Sequence, residues 1–266
     1  MFDYLTRTLV RSINQLLLLF GGIFLLAFLL CAVALQIRGA GESVLGRNFH
    51  YIVAPGVVCH ETGHALGCLL TGTEIQRFKP FSPHGNELGS VVFPRRDGFW
   101  GYVTQFVIAT GPIWFGCLMI IMLTRIFSRR SFKFMLGVNI PHDPMFSPKD
   151  YWVGTFKAAG MILQSVVRVW HWRRSLDLIY LYLIFCIVSE MGISKAELAN
   201  SWVGIICISA MILILNLIPS VSVRISILSF RLCRRLFPIH AIMLFVLIVD
   251  FMFFMLFVWP IRFIFN

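Results

Sequence analysis

The stretch that decides the fold is INQLLLLFGGIFLLAFLLCAVALQI, which runs from Ile13 to Ile37 without a charged residue. A transmembrane helix needs about 20 consecutive apolar residues. The apolar segment of a secretory signal peptide is shorter, at about 7–15 residues. We therefore expect the chain to keep this segment as a membrane span.

The composition of the whole chain favours a membrane protein. Of the 266 residues, 58% are hydrophobic and 13% are charged. Soluble domains carry about 25% charged residues, and disordered chains are poor in the aromatic residues that make up 15% of this one. These comparisons exclude both classes. In so apolar a chain, the net charge of +11 indicates loops near anionic lipid headgroups, and we expect no nucleic-acid partner.

Apolar runs separated by charged residues predict an all-α polytopic membrane protein with about six transmembrane helices, in one integral membrane domain over residues 1–266. A further segment, Tyr151–Trp172, is apolar but contains Lys157 and flanking tryptophans. This mixture predicts an interfacial helix on the bilayer surface, and the alternative is a seventh span. The six spans are expected at about Ile13–Ile37, Tyr51–Gly72, Phe99–Thr124, Leu176–Ile193, Ala199–Pro219 and Ile239–Phe263.

The segment Thr73–Pro94 interrupts this pattern after the second span. It holds two short β-prone runs separated by Pro, Gly and Asn, which predicts a hairpin-like or re-entrant segment. Irregular backbone is tolerated at membrane depth only where it is buried in protein or lines a wet cavity. We therefore expect Thr73–Pro94 to be buried in protein or to line a wet cavity.

The distribution of Lys and Arg predicts an orientation. With six spans, the N-terminus falls on one side, and the long connection Arg125–Arg174 and the loop Arg224–Arg235 fall on the other. The second side carries most of the 23 Lys and Arg residues, so the positive-inside rule places it in the cytoplasm. We therefore expect both termini outside the cytoplasm, in a multi-pass integral protein of the cell (inner) membrane.

The second predicted span contains a complete H-E-x-x-H motif, His60-Glu61-Thr62-Gly63-His64. On a helix, residues four apart share a face and lie about 6 Å apart, so both imidazoles can reach one zinc ion at about 2.1 Å. Glu61 follows His60 and is placed to hold a water molecule and take its proton. Ionisable groups within an apolar span are costly to insert. We therefore predict a zinc (Zn²⁺) site here; the alternative is a polar helix contact without metal.

The motif and its surroundings resemble a known family. The helix around His60–Ala65 resembles the active-site helix of the site-2-protease-type intramembrane zinc metalloproteases. Further along, Ala109-Thr-Gly-Pro112 resembles the family's A-G-P element, and Asn216-Leu-Ile-Pro219 resembles its N-x-x-P motif. The resemblance implies proteolysis within or beside the membrane, transmembrane or membrane-tethered protein substrates, and an edge strand that presents them.

The chain departs from the family pattern at the third metal ligand. An Asp usually follows the N-x-x-P motif, whereas Val221–Ser226 contains no carboxylate. Glu197 in Ser194-Lys-Ala-Glu197 resembles an S-x-x-D-L element of some divergent membrane metalloproteases, and we predict it as the ligand. The same four residues also predict a capping box. Glu190 and Asp250, acids inside predicted spans, are the alternatives.

These observations predict a membrane-embedded zinc metalloprotease. His60, His64 and Glu197 would bind the metal and Glu61 would be catalytic. Asn216 would bind the substrate backbone, as the resemblance implies, or it would hydrogen-bond a neighbouring helix. The rival interpretation is a non-catalytic transporter or chaperone-like relative that keeps the metal-site helix. The missing Asp favours the rival, and the intact Glu61 favours the enzyme.

Overall fold

The computed structural model describes residues 2–84, 87–127, 148–169, 175–192 and 194–260. Within them the chain is mostly helical, with eight α-helices and one two-stranded sheet. The helices are α1 (Phe2–Leu16), α2 (Gly22–Leu45), α3 (Asn48–Leu70), α4 (Phe99–Phe127), α5 (Pro148–Val169), α6 (Ser175–Glu190), α7 (Lys195–Asn216) and α8 (Pro219–Phe253). A π-helical turn (Leu17–Gly21) joins α1 to α2, a second (Phe254–Val258) follows α8, and the strands are β1 (Arg77–Lys79) and β2 (Ser90–Val92).

Three helical segments in the described part of the chain are long and apolar enough to cross a membrane: Tyr4–Leu45, Phe99–Phe127 and Pro219–Leu256. The helices over the other three predicted spans are shorter or more polar. α3 carries the H-E-x-x-H residues, α6 has 16 residues, and the apolar part of α7 is limited to Ser201–Asn216.

The buried side of α1 is polar, which is the reverse of a surface helix of a water-soluble protein. Its polar residues Thr8, Ser12 and Gln15 are buried, whereas Leu5 and Leu9 are 46% and 49% exposed. A surface helix in water shows the opposite pattern, with its apolar stripe facing the core. A helix whose outer side faces lipid tails is expected to have apolar residues outside and hydrogen-bonded polar residues inside.

The predicted loop Arg224–Arg235 is instead helical, because α8 continues without interruption from Pro219 to Phe253. The side chain of Arg11 on α1 donates a hydrogen bond to Ser222 Oγ at 2.8 Å. The N-terminal helix and the start of α8 therefore lie at the same end of the bundle. The predicted orientation placed these two segments on opposite sides of the membrane, and it is wrong. It assumed that Arg224–Arg235 was a loop on the side opposite the N-terminus.

The predicted interfacial helix corresponds to α5, and its predicted end at residues 170–172 lies outside the described part. One face of α5 is packed into the bundle, with Tyr151 and Ala158 buried. Tyr151 Oη lies 2.6 Å from Nδ1 of His240 on α8. Phe156 on the opposite face is 59% exposed. The helix is therefore anchored to α8 along its inner side.

The segment Thr73–Pro94 contains the predicted hairpin. β1 and β2 pair antiparallel, with Phe78 opposite Val91. Their connection brings Gly89 against Glu61 on α3, where a Cβ atom would lie 2.5 Å from the Glu61 Cγ. Only a glycine allows this approach. The hairpin is thereby fixed beside the H-E-x-x-H residues.

Two glycines let α3 and α4 approach closely. A Cβ at Gly63 would lie 2.6 Å from the Cα of Pro112, and one at Gly67 would lie 2.8 Å from the Cα of Ile108. Small residues at such positions allow backbones to touch in membrane bundles. The family-like segment Ala109–Pro112 is thus held directly against the helix that carries the two histidines.

Candidate metal centre

α3 and α7 bring three predicted metal ligands together. Oε1 of Glu197 lies 2.7 Å from Nε2 of His64 and 3.3 Å from Nε2 of His60. The two Nε2 atoms are 3.1 Å apart. Tetrahedral ligands at about 2.1 Å from one zinc ion lie about 3.4 Å from each other. The three donor atoms therefore have nearly the mutual spacing that one zinc ion requires.

Backbone carbonyls fix the orientation of both imidazole rings. His60 Nδ1 donates to the carbonyl of Glu190 at 2.6 Å, and His64 Nδ1 donates to the carbonyl of Ile108 at 2.9 Å. Because a carbonyl only accepts, each Nδ1 carries a ring proton. This leaves Nε2 as the ring atom that can bind a metal, and the hydrogen-bond pattern is typical of metal-binding histidines.

Glu197 has two hydrogen-bonding functions at once. Its Oε2 accepts the backbone N–H of Ser194 at 2.6 Å, while the Ser194 hydroxyl accepts the backbone N–H of Glu197 at 3.2 Å. The predicted capping box at the start of α7 is therefore present. Its other carboxylate oxygen, Oε1, is directed at the histidines. The cap thus orients the carboxylate, and the cap and ligand interpretations are compatible.

The three residues open onto a cleft of about 780 Å³ that Glu61 also lines. Glu61 is 9% exposed and lies beside the hairpin at Gly89. Glu87 of the hairpin and Arg38 of α2 line other parts of the cleft. The three candidate ligands and the predicted general base therefore share one partly polar cavity.

The two alternative acids lie apart from this donor set. Glu190 is buried and forms an ion pair with Arg38 of α2, whose side chain is 39% exposed. It contacts His60 through its backbone carbonyl. Asp250 is fully buried on α8, and neither of its carboxylate oxygens has a hydrogen-bond partner in the described part of the chain. Among the described residues, the group that fits a metal consists of His60, His64 and Glu197.

Asn216 lies outside the cleft. It is fully buried at the end of α7, where its Nδ2 donates to Gln15 Oε1 at 2.7 Å and to Ser12 Oγ at 2.9 Å on α1. Of the two predicted roles, the structure shows the contact with a neighbouring helix. It does not bring Asn216 to the metal centre.

We expect Asn216→Ala to lower the free energy of unfolding by about 1–2 kcal/mol, because it leaves Ser12 and Gln15 buried without this donor. The zinc content should stay at the wild-type level. Unfolding in mixed micelles measures the stability, with Asn14→Ala, an exposed asparagine of α1, as the control. Unchanged stability with impaired substrate binding would instead assign Asn216 to the substrate.

Sequence reasoning missed three features of the site. Arg38 had no predicted role in the site, although it pairs with Glu190. The roles of Gly89 and of the Ile108 carbonyl have no sequence signal of their own, because they depend on which backbone segments touch α3. For these three features the sequence held one signal, which is the charged residue Arg38 directly after the apolar run that ends at Ile37.

Comparisons of the chain with protein-family models, with curated proteins and with solved structures find no match.

Proposed function

We propose that this protein is a zinc metalloprotease embedded in the cell (inner) membrane, where it hydrolyses peptide bonds of transmembrane or membrane-tethered proteins. One observation carries the proposal: Nε2 of His60, Nε2 of His64 and Oε1 of Glu197 converge beside Glu61 in a cleft. A site that only packs helices has no need of a general base beside three metal donors. The resemblance of the H-E-x-x-H helix to site-2-type proteases supports the same function.

A multi-pass arrangement accommodates all the helices of the bundle. α3, α6 and α7 pack against the long apolar helix α4, so their polar site residues are shielded from lipid. Ionisable residues at membrane depth normally face the bundle interior or a wet cavity. Placing α3, α6 and α7 beside α4 within the bilayer satisfies this condition for the metal centre.

The chemistry divides among the residues of the cleft. His60, His64 and Glu197 would hold zinc, which, when bound, polarises a carbonyl group and acidifies a bound water. Glu61 takes the proton of the attacking water and then donates it to the leaving amine. The adjacent strand β2 supplies backbone groups that can pair with an extended substrate, and Gly89 keeps this strand in contact with Glu61.

We expect the purified protein to contain about one equivalent of zinc, because three spaced donors with fixed ring orientations form a preorganised site. Elemental analysis after chelator-free purification measures it. His60→Ala and His64→Ala should each lose the metal. The matched control is His50→Ala, which removes a histidine that lines the same cleft but lies outside the donor set. A wild-type content below about a tenth of an equivalent of any transition metal would refute the proposal.

A further inference from the structure

The last residue of α6, Glu190, has contacts in two directions. Its backbone carbonyl accepts the Nδ1–H of His60 on α3 at 2.6 Å, and its carboxylate is paired with Arg38 of α2. The last four carbonyls of an α-helix have no partner within the helix, and the helix dipole places a partial negative charge there. The Glu190 carbonyl is therefore a good acceptor for an imidazole N–H, and this contact links the end of α6 to the metal centre.

The packing of α6 against α3 leads to this contact in a fixed register. The Cys186 thiol donates to the carbonyl of Ile52 at 3.1 Å. A Cβ atom at Gly56 would overlap the carbonyl oxygen of Cys186, so that only a glycine lets the two backbones touch. Four residues further along both helices, His60 meets Glu190. The two helices therefore run parallel, and the position of α6 along α3 determines where the Glu190 carbonyl lies.

On its other side, the end of α6 is held by α2. A Cβ atom at Gly192, two residues after Glu190, would lie 2.8 Å from the Cα of Cys31, so the backbones touch there. Arg38, two turns after Cys31 on α2, adds the ion pair. The Glu190 side chain is 8% exposed, and a charge this deeply buried is costly without a partner. Arg38 therefore fixes the end of α6 between α2 and α3.

We propose that Arg38 is a positioning residue of the metal centre, which acts through its ion pair with Glu190 to hold the carbonyl that orients the ring of His60. The inference rests on the proposed function, because it takes His60, His64 and Glu197 as ligands of zinc. Arg38 itself does not bind the metal. Groups that orient a ligating histidine typically change metal affinity by about 10–100-fold when they are removed.

The sign of the effect separates positioning from simple electrostatics. Arg38 lines the cleft onto which the three donors open, so its positive charge repels a zinc ion. If its charge alone mattered, Arg38→Gln would strengthen zinc binding. If Arg38 positions His60 through Glu190, the same substitution weakens zinc binding. Glu190→Gln weakens it in both cases, because it also removes a negative charge, so the Arg38 variant decides between them.

Zinc affinity, measured by competition with a chelator on the purified full-length protein in detergent, tests the proposal. Arg38→Gln should weaken zinc binding by about tenfold, while zinc-saturated protein still holds about one equivalent. Arg38→Lys keeps a charge for the ion pair and should restore most of the affinity. Combining Arg38→Gln with Glu190→Gln should weaken binding no further than Glu190→Gln alone, because both substitutions break the same pair.

Two controls accompany these variants. Arg95→Gln removes another arginine that lines the cleft, and it should not weaken zinc binding. Asn216→Ala, which is expected to lower stability, should also leave the affinity unchanged. An equal loss in either control would overturn the proposal, because the effect would then be general. Unchanged or stronger zinc binding in Arg38→Gln, with zinc present in the wild type, would overturn the positioning role and leave the proposed function standing. A wild-type protein that binds no zinc would refute both.

Discussion

Glu61→Gln is expected to lower peptide-bond hydrolysis by at least about a thousandfold, because the amide cannot take a proton from water. The zinc content should remain at the wild-type level, since Glu61 lies outside the three converging donors. Turnover of a membrane-tethered reporter protein in proteoliposomes, together with elemental analysis, measures both quantities. The separation of these two effects is the signature of a general base.

The control for this experiment is Glu87→Gln. Glu87 lines the same cleft from the hairpin, so its replacement removes an equal charge from the cavity, and turnover should change little. Full activity in Glu61→Gln would exclude the protease. A wild-type protein that binds zinc but hydrolyses no membrane protein would favour the rival, a non-catalytic transporter or chaperone-like relative.

Glu197→Gln is expected to release zinc from protein that is otherwise folded. The amide can still accept the Ser194 N–H and so keep the capping box, but it lacks the negative charge that balances the metal. Its effect on zinc content should equal that of Glu197→Ala, and turnover should be lost with the metal. Zinc titration and thermal unfolding in detergent measure the two effects separately.

Two variants isolate the functions that meet at Glu197. Ser194→Ala removes the hydroxyl that caps the Glu197 N–H and should cost about 1 kcal/mol of stability, with zinc retained. Glu190→Gln breaks the ion pair with Arg38 while the Glu190 carbonyl stays available to His60, so zinc should also be retained. Normal zinc in Glu197→Gln, combined with loss in Glu190→Gln or Asp250→Asn, would move the third ligand to that acid.

The parts of the candidate site that depend on residues close together in the sequence could be predicted. His60 and His64 share a helical face because of their spacing, and the H-E-x-x-H pattern adds Glu61. Glu197 stood in a four-residue element, and the capping box predicted for it is confirmed. The hairpin after the second span was also predicted, because Pro, Gly and Asn mark its turn.

The features that the sequence did not predict depend on contacts between distant segments. The basic stretch Arg224–Arg235 looked like a loop because it is charged, yet it continues a helix whose exposed side carries those charges. The polar residues of α1 had no predicted partner. Their partner Asn216 lies far away along the chain, and periodicity carries no information about such pairs.

The buried polar side of α1 has a consequence for how the protein is made. Ser12 and Gln15 are separated from their partner Asn216 by 204 and 201 residues. A ribosome adds about 5–20 residues per second, so these side chains emerge about 10–40 s before that partner exists. During this interval α1 has no bundle to bury its polar stripe. The N-terminal helix therefore reaches its final place only after α7 has been synthesised, and the last part of the chain completes the packing of the first.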